Sequence, residues 1–182
     1  TAKGKAVYDA VILDAPPTGR IGRFLNVTAE TARLAKVGPI KSQSEGVASL
    51  IRSPLTAVHV VTLLEEMPVQ ETRDAIAELT ELGIPTGNVI VNATREPLAT
   101  AGRVTQAELR RGLAAAGLPT DQATVAGLYA EAQAHQRRLA LEEALRAELL
   151  QLNRPLVELP LLPGGVDRNS LRTLAAALRA AD

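Results

Sequence analysis

Four short apolar runs, each followed by a polar or turn-forming residue and separated by helical sequence, restrict what this chain can fold into more than any other feature. Ala6–Leu13 (AVYDAVIL) ends at Asp14, and Thr56–Leu64 (TAVHVVTLL) ends at Glu65. Asn88–Asn92 (NVIVN) follows the turn Ile84-Pro85-Thr86-Gly87, and Leu156–Leu162 (LVELPLL) is the fourth. Runs of this length read as strands buried on both faces of a parallel sheet. Pro160 in the fourth run removes a ladder donor, which predicts an edge position or an end of pairing.

Helical segments fill the intervals. Pro68–Leu82 has proline in its first turn, Val69, Ile76, Leu79 and Leu82 on one side, and Gly83 as a stop. Pro119–Leu152 reads as one helix capped by Thr120 or Asp121, with Val125, Leu128, Ala132, Leu139, Leu145 and Leu149 as its stripe. Its length of ~50 Å is large for a domain of radius of gyration ~16 Å, so a break near Gly127 or a protruding helix is expected. Asp167–Ala181 reads as a terminal helix capped by Asp167, and Gly38–Gly46 (GPIKSQSEG) as a mobile loop. The alternation predicts an α/β fold with a mainly parallel, doubly wound sheet, in which ligands bind beyond the carboxyl ends of the strands.

Composition narrows the chemistry. The 182 residues are 46% hydrophobic but only 2% aromatic, which disfavours base-stacking recognition of single-stranded nucleic acid. Twenty basic side chains balance twenty acidic ones, so no global field draws nucleic acid or anionic membrane. With no cysteine and two histidines, the sequence lacks disulfides, thiolate metal sites and a cysteine nucleophile. No apolar run approaches the ~20 residues of a membrane span, and no signal-like segment opens the sequence, so a soluble cytoplasmic protein is expected.

Asp14 ends the first predicted strand and precedes Ala15-Pro16-Pro17-Thr18-Gly19. A carboxylate at a strand tip is what a nucleotide hydrolase uses to hold Mg²⁺, directly or through water. The prolines stiffen the next residues, and the glycine lets backbone N–H groups approach an anion. An ordinary βα turn with Asp14 as a local cap fits the same residues.

Tyr8–Gly19 (YDAVILDAPPTG) resembles the Walker B and switch II segment of the arsenical-pump (ArsA-like) ATPase family, which includes the ATPases that target tail-anchored membrane proteins; the wording is closest to its actinobacterial members. Arg20–Thr28 (RIGRFLNVT), Val61–Ala77 (VTLLEEMPVQETRDAIA), Asn88–Asn92 and Leu159–Leu171 (LPLLPGGVDRNSL) continue the resemblance in order along nearly the whole chain. The resemblance implies a P-loop NTPase type of fold using ATP and Mg²⁺. Asp14 would hold Mg²⁺ through water, and Pro17, Thr18 and Gly19 would form the switch that senses the γ-phosphate. Asn92 would contact the adenine edge, where the plain alternative is a strand-end turn residue. Pro163, Gly164, Gly165 and Val166 would line base and ribose through backbone groups. Where the family more often has acidic residues in that loop, this chain has two glycines.

The family's phosphate loop, G-x-x-x-x-G-K-[ST], is not found: the only Gly-Lys pair, Gly4-Lys5, is followed by Ala6. The expectation is that residues 1–182 form the C-terminal part of a single ArsA-like ATPase domain, inactive alone, whose partners are a missing N-terminal half and a second copy or paralogue in a dimer. Such a chain would leave an apolar sheet edge and face uncovered, stable only when complemented, dimerised or swapped. An alternative is a non-catalytic regulatory subunit of an intact paralogous ATPase, and a third reading is a flavodoxin-like, flavin-binding domain.

Other residues read more plainly. His59 is expected as a satisfied or edge-facing strand histidine, His135 as a solvated helix residue, and Arg137-Arg138 as a surface pair. Glu65 and Glu66 close the second run, near the site or simply opening a helix. Arg20 and Arg23 could couple nucleotide state to a facing subunit. Phe24, Leu25, Val27 and Leu34 mark an amphipathic helix after the switch, packing on the sheet or, as the resemblance implies, contributing to a client groove.

Overall fold

The computed structural model describes residues 7–34, 37–95 and 104–180. Gly4-Lys5, the first residue of the Ala6–Leu13 run and the last of the Asp167–Ala181 helix lie outside the described residues. Among the described residues, six helices and three strands follow in order: α1 Thr18–Leu34, α2 Pro39–Ile51, β1 Val58–Thr62, α3 Glu66–Glu81, β2 Thr86–Thr94, α4 Gln106–Ala115, α5 Gln122–Leu150, β3 Leu156–Pro160 and α6 Arg168–Arg179. They fall into two compact units, 1–57 with 74–85 and 58–73 with 86–182, so the division runs through α3.

The second unit holds the sheet. All pairings are parallel, in the order β1-β2-β3, with Val61, Ile90 and Val157 in one row and Thr62, Val91 and Glu158 in the next. This is the expected α/β class. Pro160 does end the pairing of edge strand β3, opposite Thr94.

Burial of both sheet faces holds at β3 but not at β1. Val60, Thr62, Leu64, Val89 and Val91 are buried on one face, whereas in the alternate row Val157 is buried, Ile90 half-buried and Val61 57% exposed. Strand order that follows chain order sends successive right-handed crossovers to one face. α5 covers that face: Arg146 grips Glu158 of β3 in a two-pronged pair at 2.7 and 3.1 Å, and Arg73 of α3 reaches Glu148 of α5 at 3.4 Å. The core is aliphatic, with Val69 and Thr72 of α3 and Leu145 and Leu149 of α5 fully or almost fully buried. Each of the buried Val and Leu side chains contributes roughly 1.5–3 kcal/mol relative to exposure.

α5 runs 29 residues without the expected break at Gly127. Its buried residues are Val125 near the start and Glu142, Leu145 and Leu149 toward the end, so the helix is anchored at both ends. Asp121 caps it, accepting from the Thr124 N–H at 3.0 Å. Asp167 caps α6 as expected, accepting from Asn169 and Ser170.

The first unit corrects two readings. Gly38–Gly46 is not a loop: Gly38, at φ 105°, turns the chain and Pro39 opens α2. Proline at the first helical position carries no N–H to leave unpaired, and that start signal outweighs the polar Lys-Ser-Gln-Ser composition. The run at 7–13 forms no strand; Val11, Ile12 and Leu13 are exposed, Ile12 by 95%. A strand needs a neighbour to pair its backbone, and the described sheet does not include this segment. The amphipathic helix expected after the switch is α1, with Ile21 and Leu25 buried and Phe24, Val27 and Leu34 outward. At the end of α2, Arg52 donates from Nε to the Leu82 carbonyl and from Nη2 to Asn26 Oδ1, each at 3.0 Å.

Candidate functional site

The carboxyl ends of β1 and β2 open into a small pocket of about 100 Å³, lined by residues 63–65, 92–95 and two residues of α5, Arg138 and Glu142. A drug-sized or nucleotide-sized site needs several hundred Å³, so these residues enclose only part of one.

β2 leaves the ladder here abruptly. Its register with β3 shifts between Val91 and Thr94, and Ala93 lies in the left-handed region at φ 56°. A residue with a Cβ pays about 1–2 kcal/mol for that conformation, which persists only where surroundings over-determine it. Four contacts do so. Asn92 Oδ1 accepts from the Ala93 N–H at 2.9 Å. Thr94 donates its hydroxyl to the Leu159 carbonyl at 3.2 Å and accepts the Leu161 N–H at 2.8 Å. Arg95 donates to Glu142 at 3.2 Å. The exposed Asn92 amide is thereby oriented through its oxygen.

The electrostatic centre of the pocket is Glu142, whose side chain is only 6% exposed. Arg95 and Arg138 both donate to its Oε1, at 3.2 and 3.1 Å, and Arg138 also reaches Glu65, just past β1, at 3.1 Å. Hydrogen bonding to Glu142 and then to Glu65 holds the Arg138 guanidinium still more firmly protonated than usual. The four side chains thus tie the exits of β1 and β2 to α5. Glu65 is near the candidate site, as one of its two sequence readings had it, and Arg138 is more than a surface pair.

The other anticipated residues are distributed as follows. Asp14 and Pro17 are exposed and lie before α1, and Thr18 and Gly19 are its first two residues, all within the first unit. Asn92 and residues 163–166 belong to the second unit; Pro163, Gly164, Gly165 and Val166 form the turn from β3 into α6, with Gly165 at φ 76°. They do not line the Asn92 pocket. Among the described residues no group of three or more His, Asp or Glu gathers as a metal cage. His59 is the satisfied strand histidine of the two expected alternatives: its Nδ1 accepts the Asn88 N–H of the neighbouring strand β2 at 3.0 Å. His135 is half-buried rather than solvated, with its Nε2 buried and unpartnered. No helix of the described residues is long and apolar enough to cross a membrane.

Glu142 and Arg95 were not anticipated from sequence. The spacing of Arg138 and Glu142, four apart on a helix, was the available signal, but nothing local marks Glu142 as buried.

Comparison with known proteins follows the same lines. The profile of the anion-transporting ATPase (ArsA ATPase) family matches residues 32–99, a span that includes Asn92 but neither Asp14–Gly19 nor Pro163–Val166. The chain is 46% identical over 180 residues to ATPase BagA of Mycobacterium tuberculosis H37Rv. It has the same identity to Mb3704 of Mycobacterium bovis, whose ATPase name is provisional. Each alignment covers 94% of this chain and 53% of the relative, so the chain spans about half the length of the curated relatives it matches.

Proposed function

Because the chain belongs to the ArsA-like ATPase family, we propose that it carries the Mg²⁺-side switch and the adenine-side elements of an ATP-hydrolysing protein whose cycle is coupled to a partner or client. Asn92 reads the adenine edge, and Pro163, Gly164, Gly165 and Val166 line base and ribose. Asp14 contributes to the Mg²⁺ shell through water, and Pro17, Thr18 and Gly19 form the switch that relaxes on loss of the γ-phosphate. The phosphate loop and first switch would come from sequence outside this chain, so residues 1–182 alone are expected not to turn over ATP. The whole protein would act in the cytoplasm as a dimer with itself or a paralogue.

One observation carries the reading: Asn92 stands on a strained strand exit at the carboxyl edge of an open parallel sheet, where such sheets take their ligands. The test is steady-state hydrolysis by the full-length protein. Asp14→Asn should lower kcat on the order of tenfold or more with the fold intact, and Asn92→Ala should raise KM for ATP about tenfold. Unchanged kcat in the Asp14 variant would remove that residue from the reaction.

A second reading, a non-catalytic subunit that pairs with an intact paralogous ATPase, draws support from the exposed apolar residues Val11, Ile12 and Leu13. ATP turnover by the purified full-length protein, free of any paralogue, would exclude it.

A further inference from the structure

We infer that Glu142 is a positioning residue for Asn92, setting base selectivity through Arg95 without touching the nucleotide. The inference rests on the reading of Asn92 as the base contact.

The left-handed kink at Ala93 swings the chain between Asn92 and Arg95, so the Asn92 amide is only as well placed as the segment that follows it. Thr94 ties that segment to the β3 side, through Leu159 and Leu161. Arg95 ties it to α5, through Glu142. Arg138 meets the same carboxylate oxygen and extends the restraint to Glu65 at the exit of β1. Glu142 is therefore where three segments that border Asn92 are held in register.

The choice of residue supports a positioning role. A carboxylate with a 6% exposed side chain is costly to desolvate, and packing alone at such a place is generally served as well by an apolar residue of similar volume. What an apolar residue cannot do is fix two guanidiniums in direction. Both guanidiniums keep about two-fifths of their side-chain surface exposed, so the network meets solvent at the pocket.

The test is equilibrium binding of ATP and of GTP, as two probes differing in the base edge, to the full-length protein. Glu142→Gln should weaken ATP binding about tenfold and GTP binding by less than about twofold, the size of one lost base-edge pair. The ATP/GTP ratio should fall to that of Asn92→Ala, and the double variant should lose nothing further. Arg95→Gln, at a more exposed position, is the second variant and should shift the ratio in the same direction if Glu142→Gln does not fold. Equal loss of ATP and GTP binding in both variants, or a wild-type ratio in both while Asn92→Ala collapses it, would overturn the positioning role and leave the Asn92 contact standing. A wild-type ratio in Asn92→Ala would overturn the base contact, and the positioning role with it.

Discussion

Gly87 at the start of β2 offers a sharp test of how β1 and β2 are joined. A Cβ built on Gly87 would stand 2.6 Å from Cε1 and 2.8 Å from Nδ1 of His59, closer than side chains tolerate. The ring cannot simply be pushed aside at no cost, because its Nδ1 accepts the Asn88 N–H at 3.0 Å across the irregular register between Val58 and Val60. Gly87→Ala should therefore displace the ring and lose that bond, costing about 1 kcal/mol with a further part for imperfect relocation. His59→Ala alone should cost about 1 kcal/mol for the same bond. Gly87 is not among the positive-φ glycines, so once the ring is gone the alanine is admissible and reduces the entropy of the unfolded chain by about 0.4–1 kcal/mol.

The double variant should then be no less stable than His59→Ala and somewhat more stable than Gly87→Ala, giving a coupling of about 1.5 kcal/mol between the two sites. Urea denaturation of the four proteins reads this directly from the midpoints at constant m. Additive losses would mean that the ring does not lie over Gly87. A stabilising single Gly87→Ala would refute the close approach altogether.

Two further outcomes follow from the same geometry. The N-terminal residues Glu108, Asp121 and Asp167 have pKa values below their ordinary 4.5, 3.8 and 3.8, chiefly through hydrogen bonds with Thr105, Thr124 and Ser170. A depressed carboxylate stabilises the fold fully above its unfolded pKa and loses that contribution as pH falls through the folded value, so the Thr105, Thr124 and Ser170 amides, which donate to these carboxylates, should be less protected from exchange, relative to the intrinsic rate at each pH, at about pH 3 than at about pH 6; unchanged protection would refute the caps as acid-sensitive. Ile12→Ser should change the stability of the 182-residue chain by no more than about 0.5 kcal/mol, as at exposed positions generally, and a loss of several kcal/mol would show that this segment is buried after all.

The parts of the fold that could be read from sequence are those with a local cause. α3 follows from Pro68 and its apolar side, the caps of α5 and α6 from Asp121 and Asp167, and the end of β3 from Pro160. α4 carried a local signal that went unread: Thr105 and Glu108 form a reciprocal capping box, with the Thr105 hydroxyl accepting the Glu108 N–H at 3.2 Å. α2 was misread because its outward residues are polar, and only Gly38-Pro39 announces its start. At the candidate site, Asn92 was legible because a polar residue closing an apolar run is conspicuous. Glu142 and Arg95 were not, because their meeting depends on α5 crossing the exit of β2, forty-seven residues apart in sequence.

β2 and the run at 7–13 differ in what holds their ends. Both are apolar stretches closing on a polar residue that the same sequence reasoning would put at a strand tip. β2 is the central strand, paired on both sides, so its exit at Asn92 is fixed in direction and can sustain a left-handed Ala93. Residues 7–13 have no strand beside them among the described residues, and their side chains stay in water. A strand-tip carboxylate gains its orientation from the ladder behind it. Asp14 can thus perform the role proposed for it only once its run is paired, whereas the Asn92 exit, braced by β3 and by Glu142, is already formed. The two halves of the proposed site therefore differ in kind: one is built into this chain, and the other requires a neighbouring strand to complete it.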